Sequence, residues 1–406
     1  MICIDEWRRV SIEECCDILD RKRIPISGEE REKRIGNVPY YGANGLQGYI
    51  DDYLFDEPLI LIAEDGGVFD EYATRPIAYR VNGKSWVNNH AHVLRAKYKY
   101  NQDVIFYSLE HKDIQPFIVG GTRSKLNQSA LRSITVDVPK SLPEQAKIAE
   151  VLSTVDRAIE QTEALIEKQQ RIKTGLMADL LTQGIDADGN LRSEATHVFK
   201  DSPLGRIPLE WDSSSLGLLA KFNSGYAFKN DELKEHGWQV VRISNLHKPD
   251  FPYWHYKGPV KDSWKILDGD ILFSWAGVAS SIDCVRYRGP DALMNQHIYN
   301  LIFETETLKS FVYYYLQRYL PVLRTEIEGG AGQLHLTKAK IQSIGIPSID
   351  EDEMYRILGV LDKHDHQITE SKKRLAKLRS LKTALMQDLL TGKKRVTPLL
   401  EEEVSG

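Results

Sequence analysis

Residues 173–182 read KTGLMADLLT and residues 382–391 read KTALMQDLLT, so one pattern occurs twice at an offset of 382 − 173 = 209 positions. The offset continues upstream without a gap, since Ile148 falls on Ile357. Agreement that continues over roughly forty residues indicates an internal duplication of the chain.

Both copies carry a seam of mainly apolar residues whose spacing alternates between four and three. The seam comprises positions 148, 152, 155, 159, 162, 166, 169, 173, 176 and 180, together with the same positions plus 209. A period of 3.5 residues is typical of coiled coils, although several of these positions are polar. We therefore expect two long helices, which bury their seams most readily by pairing antiparallel with each other.

Signals for the start and stop of a helix flank both copies. The predicted capping boxes are Ser141–Glu144 and Asp350–Glu353, and the predicted stops are Gly184 and Gly392. Gly175 lies inside the first helix, where it should cost about 1 kcal/mol relative to alanine unless a close contact requires it.

The stretches before the two helices are more divergent copies of each other. LILIAEDGG (59–67) corresponds loosely to GDILFSWAG (269–277), and WVNNHAHVLR (86–95) corresponds to LMNQHIYNLI (293–302). Short runs of β-branched or aromatic residues alternate with helical patches, which favours an α+β fold. The sequence thus predicts two related globular domains, separated by two long helices that form an antiparallel coiled coil, in a pseudo-twofold internal repeat.

The duplication also predicts the domain boundaries. We expect a first globular domain at 1–142, a central helix at 143–184, a polar linker at 185–209, a second globular domain at 210–347, a C-terminal helix at 348–392 and a tail at 393–406.

The composition is that of an ordinary soluble protein, and it restricts the class only weakly. A net charge of −5 argues mildly against a nucleic-acid partner, but an average over the chain can hide a basic surface. The four cysteines show no C-x-x-C spacing, so we expect neither a zinc site nor a disulfide framework. The N-terminus lacks the layout of a signal peptide, and no apolar run approaches a membrane span. We expect a cytoplasmic protein without a membrane partner.

Several motifs, in this order and around variable middles, are similar to those of one family. They are YYGANGLQGYI (40–50), VPKSLPEQAKIAEVLSTVD (138–156), LMADLLTQG (176–184), EWDSSSLGLLAKFNSGYAF (210–228) and LMQDLLTG (385–392). In these motifs the chain resembles the specificity subunit of type I restriction–modification systems, over essentially its whole length. It departs from the family pattern at IDEDEMYRI (349–357), which replaces the Pro-x-x-Glu-Gln start of the second helix.

The resemblance implies a non-catalytic subunit with two target-recognition domains, each reading one half of a bipartite asymmetric site in double-stranded DNA. It also implies that the helices set the spacer between the half-sites and dock two methyltransferase subunits. Restriction and translocase subunits would join the complex for cleavage. A duplicated reader on a pseudo-twofold frame suits the approximate twofold symmetry of the DNA backbone.

Three alternatives remain open at this level. A specificity subunit of a related modification system outside type I would have the same layout. A self-contained DNA-modifying enzyme should show an acidic/Asn-Pro-Pro-aromatic motif, a glycine-rich cofactor loop or a P-loop, and the sequence has none of these. A structural coiled-coil adaptor accounts for the helices but not for two large diverged domains. We therefore predict no catalytic residues, no cofactor and no metal site.

Candidate DNA contacts are cations, amides, hydroxyls and aromatic residues on polar segments close to glycines, because such groups bind phosphates and base edges. In the first domain they are Arg21, Lys22, Arg23, Tyr41, Asn44, Gln47, Arg123 and Lys125. In the second domain they are Tyr226, Lys229, Arg242, Ser244, Asn245, Lys257, Gln333 and His335. For any single residue, a solvated surface role is the competing interpretation.

Two other groups of residues are expected to be structural. The segment YWHYK (253–257) could stack on bases, but an aromatic strand packed on the domain core is favoured. His90 and His92 could ligate a metal ion, yet structural histidines are favoured because no ligand partner lies nearby in sequence. Similarly, Glu64 and Asp65 are expected to form a turn after the strand that precedes them.

Overall fold

The computed structural model describes residues 6–120, 124–248, 250–327 and 334–400. The chain divides into two compact units, residues 1–164 with 373–406 and residues 165–372. Both boundaries fall inside a long helix, so each unit combines one globular domain with half of each long helix. None of the helices in the described ranges has the length and apolarity that crossing a membrane requires.

The first domain alternates short strands and short helices. Its elements are β1 (Trp7–Ser11), α1 (Ile12–Cys15), β2 (Cys16–Ile18), α2 (Gly28–Lys33), β3 (Val38–Gly42), β4 (Gly45–Ile50), β5 (Phe55–Asp56), β6 (Leu59–Ala63), β7 (Ala78–Val81), β8 (Lys84–Val87), β9 (Ala91–Ala96), α3 (Gln102–Glu110), β10 (Ile118–Val119), β11 (Lys125–Leu126), α4 (Gln128–Ser133) and β12 (Thr135–Pro139). All five residues of β6 are buried, as a strand covered on both faces requires.

A long helix, α5 (Leu142–Leu180), leads to the hairpin β13 (Phe199–Ser202) and β14 (Gly205–Pro208) within the predicted linker. The second domain and last helix follow. They comprise β15 (Asp212–Ser215), α6 (Leu216–Leu219), β16 (Lys221–Ser224), β17 (Leu233–Lys234), β18 (Trp238–Val241), α7 (Ile243–His247), β19 (Trp254–Tyr256), β20 (Lys265–Ile266), β21 (Ile271–Ser274), β22 (Ala276–Gly277), β23 (Asp283–Arg286), β24 (Ala292–Met294), β25 (Ile298–Ile302), α8 (Glu306–Ile327), β26 (Leu334–His335), α9 (Lys338–Gln342), β27 (Gly345–Ser348) and α10 (Glu351–Leu389).

The two domains have the same sheet topology. The sheet β2-β9-β6-β7 of the first domain has its counterpart in β16-β25-β21-β23 of the second. The sheet β4-β3-β8-β5 corresponds to β19-β18-β24-β20, to which β17 is added at one edge. The sheet that contains β3 and the sheet that contains β18 each have one parallel pair of strands, β3 with β8 and β18 with β24. The predicted α+β fold with an internal repeat is confirmed.

Strand register fixes which residues of the two domains are equivalent. Ile60 pairs with Leu94 in the first domain, and Ile271 pairs with Leu301 in the second. Leu94 and Leu301 already match in sequence, so Ile60 is equivalent to Ile271. The sequence match of 59–67 with 269–277, which covers β6 and β21, is therefore wrong by one residue. Glu64 is therefore the counterpart of Trp275.

The predicted seams lie inward along both long helices. Every one of the twenty seam positions is buried or half-buried. In the first unit, Arg379 donates to Glu163 over 2.7 Å. In the second, Ser371 donates to Gln169 over 3.0 Å. Asp156 also meets Lys382 in the first unit, and Lys173 meets Asp365 in the second. Within each unit, residue numbers therefore rise along α5 as they fall along α10, so the two helices pair antiparallel, as predicted.

The predicted capping boxes are only half right. Asp350 does accept a hydrogen bond from the backbone of Asp352 at the start of α10. However, Glu144 accepts two bonds from Arg395, at 2.5 and 2.8 Å. Glu353 accepts instead from Trp211 Nε1 at 3.1 Å, and also from Ile185 N and Arg192. Both glutamates are therefore buried anchors for distant segments of the chain rather than caps.

The predicted stops are correctly placed but have a second reason to be glycine. Gly184 and Gly392 lie just beyond the ends of α5 and α10 and adopt φ values of 67° and 70°. A Cβ at Gly184 would collide with Trp211 and Glu353, and one at Gly392 would collide with Trp7. Both helices thus end on a left-handed glycine packed against a tryptophan of the domain in the same unit.

Candidate nucleic-acid interface

The first group of predicted DNA contacts divides between surface and interior. Arg21 and Lys22 are exposed on the 3-10 turn Asp20–Lys22. Arg23 turns inward, donating to Glu64 at 2.9 Å and to the backbone oxygen of Ala91 at 2.6 Å. Its guanidinium therefore holds the domain together, which leaves Arg21 and Lys22 as the accessible cations of this turn.

Below that turn lies a buried polar network. His92 Nδ1 is 2.6 Å from Asp20 Oδ2, and His92 Nε2 is 2.8 Å from the backbone oxygen of Leu126. Although burial raises the pKa of Asp20, hydrogen bonds from His92, the Val93 backbone and Gln128 outweigh it and hold that pKa below its usual value.

Ligand atoms of Asp20, Glu64 and His92 lie within 4.8 Å of one another, which raises the question of a metal ion. The protein itself satisfies them. Arg23 and Lys125 approach Glu64 to 2.9 and 3.2 Å, and both ring nitrogens of His92 are engaged. Two cations beside one carboxylate would repel a metal ion, so this donor set fits a structural network.

The β3–β4 hairpin carries three further predicted contacts. Asn44 and Gln47 are exposed, and Tyr41 is half-buried on β3. Asn44 donates to the backbone oxygen of Gly66 over 3.0 Å, which ties the hairpin to the loop after β6. The hairpin and that loop therefore form one surface.

Lys125 is the remaining described candidate of the first domain. It lies on β11, its backbone forms a β-bridge with that of Asp65, and its side chain is 45% exposed. Arg123 lies outside the described residues.

In the second domain, aromatic rings support several of the predicted contacts. Tyr226 stacks on Trp264 with 4.3 Å between ring centroids and donates to Glu232 over 3.0 Å. This hydrogen bond, followed by burial, raises the pKa of Tyr226. Lys229 is exposed three residues further along the chain.

Arg242 lies over the ring of Trp254 at 4.2 Å and donates to the backbone oxygen of Pro252. The Phe251 ring lies 5.2 Å from the same guanidinium, so two aromatic rings cover part of this half-buried cation. Ser244 is half-buried, while Asn245 is buried and donates to the backbone of Phe251. Asn245 therefore shapes this loop from within.

Within the segment YWHYK, Trp254–Tyr256 form β19, as the favoured interpretation predicted, and Tyr256 is buried. Lys257 follows it on the surface, beside a depression of about 660 Å³ that Trp238 and Asp291 also line. His335 is exposed on β26, and Gln333 lies outside the described residues.

Sequence reasoning missed two tryptophans of the second domain, the exposed Trp238 and the half-buried Trp264. Trp238 is 38% exposed, with the Lys265 ammonium 5.9 Å from its ring centroid. Lys261 lies in the same way 5.7 Å from Trp264. Trp238 and Lys265 are far apart in the sequence, and a 3-10 turn brings Lys261 towards Trp264. No short sequence motif therefore predicts either pair. Aromatic rings with cations beside them can stack on bases and bind the phosphate backbone of a nucleic acid.

A family model described as the type I restriction modification DNA specificity domain matches residues 4–169 and again residues 208–380. The two matches together cover most of the chain and coincide with its two repeats. The chain belongs to this family of DNA specificity subunits.

Two relatives illustrate the range of similarity. A putative type I restriction enzyme specificity subunit of Haemophilus influenzae is 34% identical over 151 residues, 37% of each protein. The type I restriction enzyme MjaVIII specificity subunit of Methanocaldococcus jannaschii is 26% identical over 75% of this chain and 73% of its own length. The second alignment includes parts of both repeats, since it covers 324 residues.

A solved structure extends the similarity to the whole fold. The type I restriction–modification S subunit from M. genitalium superposes with a TM-score of 0.66, covering 95% of this chain and 96% of that one, at 15% sequence identity. At this identity the likeness establishes the fold alone.

Proposed function

We propose that this protein reads a bipartite asymmetric DNA site, one half-site with each globular domain, as a subunit that itself carries out no catalysis. The observation that carries the proposal is that one sheet topology occurs twice while the residues displayed on it differ. A repeated frame can approach both half-sites in the same way, and different surface residues allow two different base sequences to be read.

The exposed candidates support a DNA partner despite the acidic net charge. Arg21, Lys22 and Lys125 in the first domain, and Lys229 and Lys257 in the second, place cations on loops and strand ends. Such residues contact phosphates and position a protein on the duplex. Amides and aromatic rings beside them, at Asn44, Gln47 and Tyr226, supply groups that can reach base edges.

Two methyltransferase subunits, and restriction and translocase subunits for cleavage, are the proposed protein partners, with the cytoplasm as the proposed location. The two long helices are the proposed docking frame for the methyltransferase subunits. Because the frame is repeated within one chain, it offers equivalent surfaces to two copies of the same partner.

Exchange of residues 1–142 for those of a relative tests the modular assignment. We expect the methylated sequence, mapped by sequencing of modified bases, to change in one half-site only. Exchange of residues 210–347 is the matched control and should change only the other half-site. A change in both half-sites after a single exchange would contradict one reader per domain.

The non-catalytic role has a separate test. We expect the purified chain to transfer no methyl group to DNA from S-adenosylmethionine, and methylation to appear when the methyltransferase subunit is added. Methyl transfer by the chain alone would refute the assignment.

A further inference from the structure

The loop before the last short helix of each domain reaches the same place in the fold. In the first domain, the backbone of Lys125 forms a β-bridge with that of Asp65, just after β6. In the second, His335 pairs with Ala276 just after β21. The next residues, Leu126 and Leu336, donate backbone hydrogen bonds of 2.7 and 2.9 Å to equivalent carbonyls. Lys125 and His335 are therefore structurally equivalent.

The residues beneath these two positions are also equivalent, yet their chemistry differs completely. Glu64 and Trp275 both donate a backbone hydrogen bond to a histidine carbonyl, that of His90 and of His297. In the first domain Glu64 lies 3.2 Å from the Lys125 ammonium. The same backbone thus displays an ion pair in one domain and an indole beside imidazoles in the other.

In the second domain this position is built from rings. Trp275 lies 5.2 Å from His297 and 5.7 Å from His335, measured between ring centroids, and stacks on Tyr299 at 5.9 Å. The Lys338 ammonium is 6.0 Å from the Tyr299 ring. An exposed imidazole therefore stands at the edge of an aromatic surface that has a cation beside it.

Hydrogen-bonding capacity in this cluster is incompletely used. Trp275 Nε1, His297 Nδ1 and Gln296 Oε1 are inaccessible atoms without a hydrogen-bond partner in the described part of the chain. Burial, followed by the proximity of His335, lowers the pKa of His297, which is then neutral near pH 7. Buried polar atoms normally have partners, so these three atoms leave hydrogen-bonding capacity that water or a ligand can use.

From this equivalence we infer that Lys125 and His335 are specificity-determining residues, each reading a base in the half-site of its own domain. Both side chains donate hydrogen bonds, so they fit the acceptor edge of a purine, above all O6 and N7 of guanine. Glu64 orients the lysine in the first domain, and the indole of Trp275 supports the imidazole in the second. The inference rests on the proposed function, because it assigns the reading residues of the same two domains.

The test uses the complete complex with its methyltransferase subunits, and reads out the methylated sequence in DNA by modified-base sequencing. We expect His335→Ala to lose about 10- to 100-fold of its discrimination at one position of one half-site. Lys125→Ala should do the same in the other half-site only. Each variant should leave the opposite half-site unchanged.

Matched controls separate reading from folding. His236→Ala, at an exposed histidine of the second domain, and Lys99→Ala, at an exposed lysine of the first, should keep the wild-type sequence preference. His335→Gln and Lys125→Gln replace either alanine variant that fails to fold. Because glutamine pairs best with adenine, we expect these variants to show an altered base preference at the same position.

Two outcomes would overturn the inference while sparing the proposed function. One is an unchanged sequence preference in both alanine variants or in their replacements. The other is a uniform loss of methylation at all sequences, which would indicate phosphate contact or a structural role. If the wild-type complex recognised no bipartite sequence at all, the proposed function itself would fail.

Discussion

Glu144 and Glu353 are buried carboxylates that each bind an arginine from a distant segment of the chain. They lie at equivalent places in the two repeats, and only 1% and 3% of their surface is exposed. Burial of a carboxylate is costly unless it is paired. Arg395 neutralises Glu144, and Arg192 neutralises Glu353. Each arginine belongs to the segment that follows a long helix, so each glutamate ties that segment to the start of the other long helix.

Gly175 is a residue that the structure does not require. A Cβ built at this position meets nothing within 4 Å, and the equivalent residue in the second repeat is Ala384. We expect Gly175→Ala to raise the free energy of unfolding by about 0.5–1 kcal/mol, since glycine costs backbone entropy in a helix. Chemical denaturation measures the change.

The matched control for this substitution is Gly184→Ala. Its positive φ and the collisions of an added Cβ with Trp211 and Glu353 predict a clear loss of stability. Equal effects of the two substitutions would show that helix propensity and packing had been assigned wrongly.

Asp20 gives the first domain a dependence on pH. Its folded-state pKa lies below its value in the unfolded chain, about 3.9. The stabilisation is therefore fully present above that value and is lost as the pH falls through the folded pKa. We expect Asp20→Asn to lower the melting temperature at pH 7 and to narrow its difference from wild type near pH 3. A constant difference at both pH values would contradict this linkage.

At the scale of elements, one polar contact is repeated between each domain and the helices of its unit. In the first unit, Tyr107 donates to Asp156 over 2.7 Å, and Lys382 lies 2.9 Å from the same carboxylate. In the second, Tyr314 donates to Asp365 over 2.6 Å, and Lys173 pairs with it. Burial, with the hydrogen bond to the aspartate second, raises the pKa of both tyrosines.

These contacts explain why the seam tolerates lysine. Lys173 and Lys382 occupy the same seam position in the two repeats, where a coiled coil would prefer an apolar residue. Each lysine instead meets an aspartate of the opposite helix within its unit. A paired polar residue in a seam fixes the register of the helices, because any slip would leave a buried charge unpaired.

Lys382→Met should destabilise the protein more than Lys173→Met. Lys382 pairs with Asp156 and Glu110, which are 13% and 10% exposed, whereas Asp365 beside Lys173 is 37% exposed. We expect a loss of about 3 kcal/mol for the first substitution. For the second we expect about 1 kcal/mol, since water screens its partner. Denaturant titration gives both values.

Exposed lysines on the same helices provide the controls. Lys377→Met on α10 and Lys168→Met on α5 remove an equal charge without touching the seam. Their free energies of unfolding should stay close to wild type. If the seam and surface substitutions had similar effects, the repeated contact would not fix the helices.

At the scale of the whole molecule, the C-terminal part of the chain packs into the same unit as the N-terminal part. The first unit contains residues 1–164 together with 373–406, so it requires the end of the second helix to complete it. Leu389 and Val396 are buried in the core of that unit. The two helices are therefore integral to both units.

Insertion of one heptad into both helices tests the frame. Seven residues placed after 164 in α5 and after 372 in α10 keep the seam in phase. They lengthen each helix by about 10 Å. On the proposed function, we expect the spacer of the recognised site to grow by about three base pairs while both half-sites stay the same. Mapping of methylated sequences measures the spacer.

The same insertion in α5 alone is the control, because it displaces the lysine–aspartate contacts of one helix relative to the other. We expect this variant to lose stability and methylation together. A spacer that did not change after the double insertion would rule out the helices as its determinant.

The sequence alone determined the duplication, the antiparallel long helices and the α+β class. These features depend on local periodicity, and on a repeat that gives both helices the same seam. It did not determine the strand register, where a shift of one residue made Glu64 equivalent to Trp275. Nor did it reveal the partners of Glu144 and Lys382, because each partner lies more than 200 residues away in the sequence. Such contacts depend on how the folded chain brings distant segments together, and no local pattern encodes them.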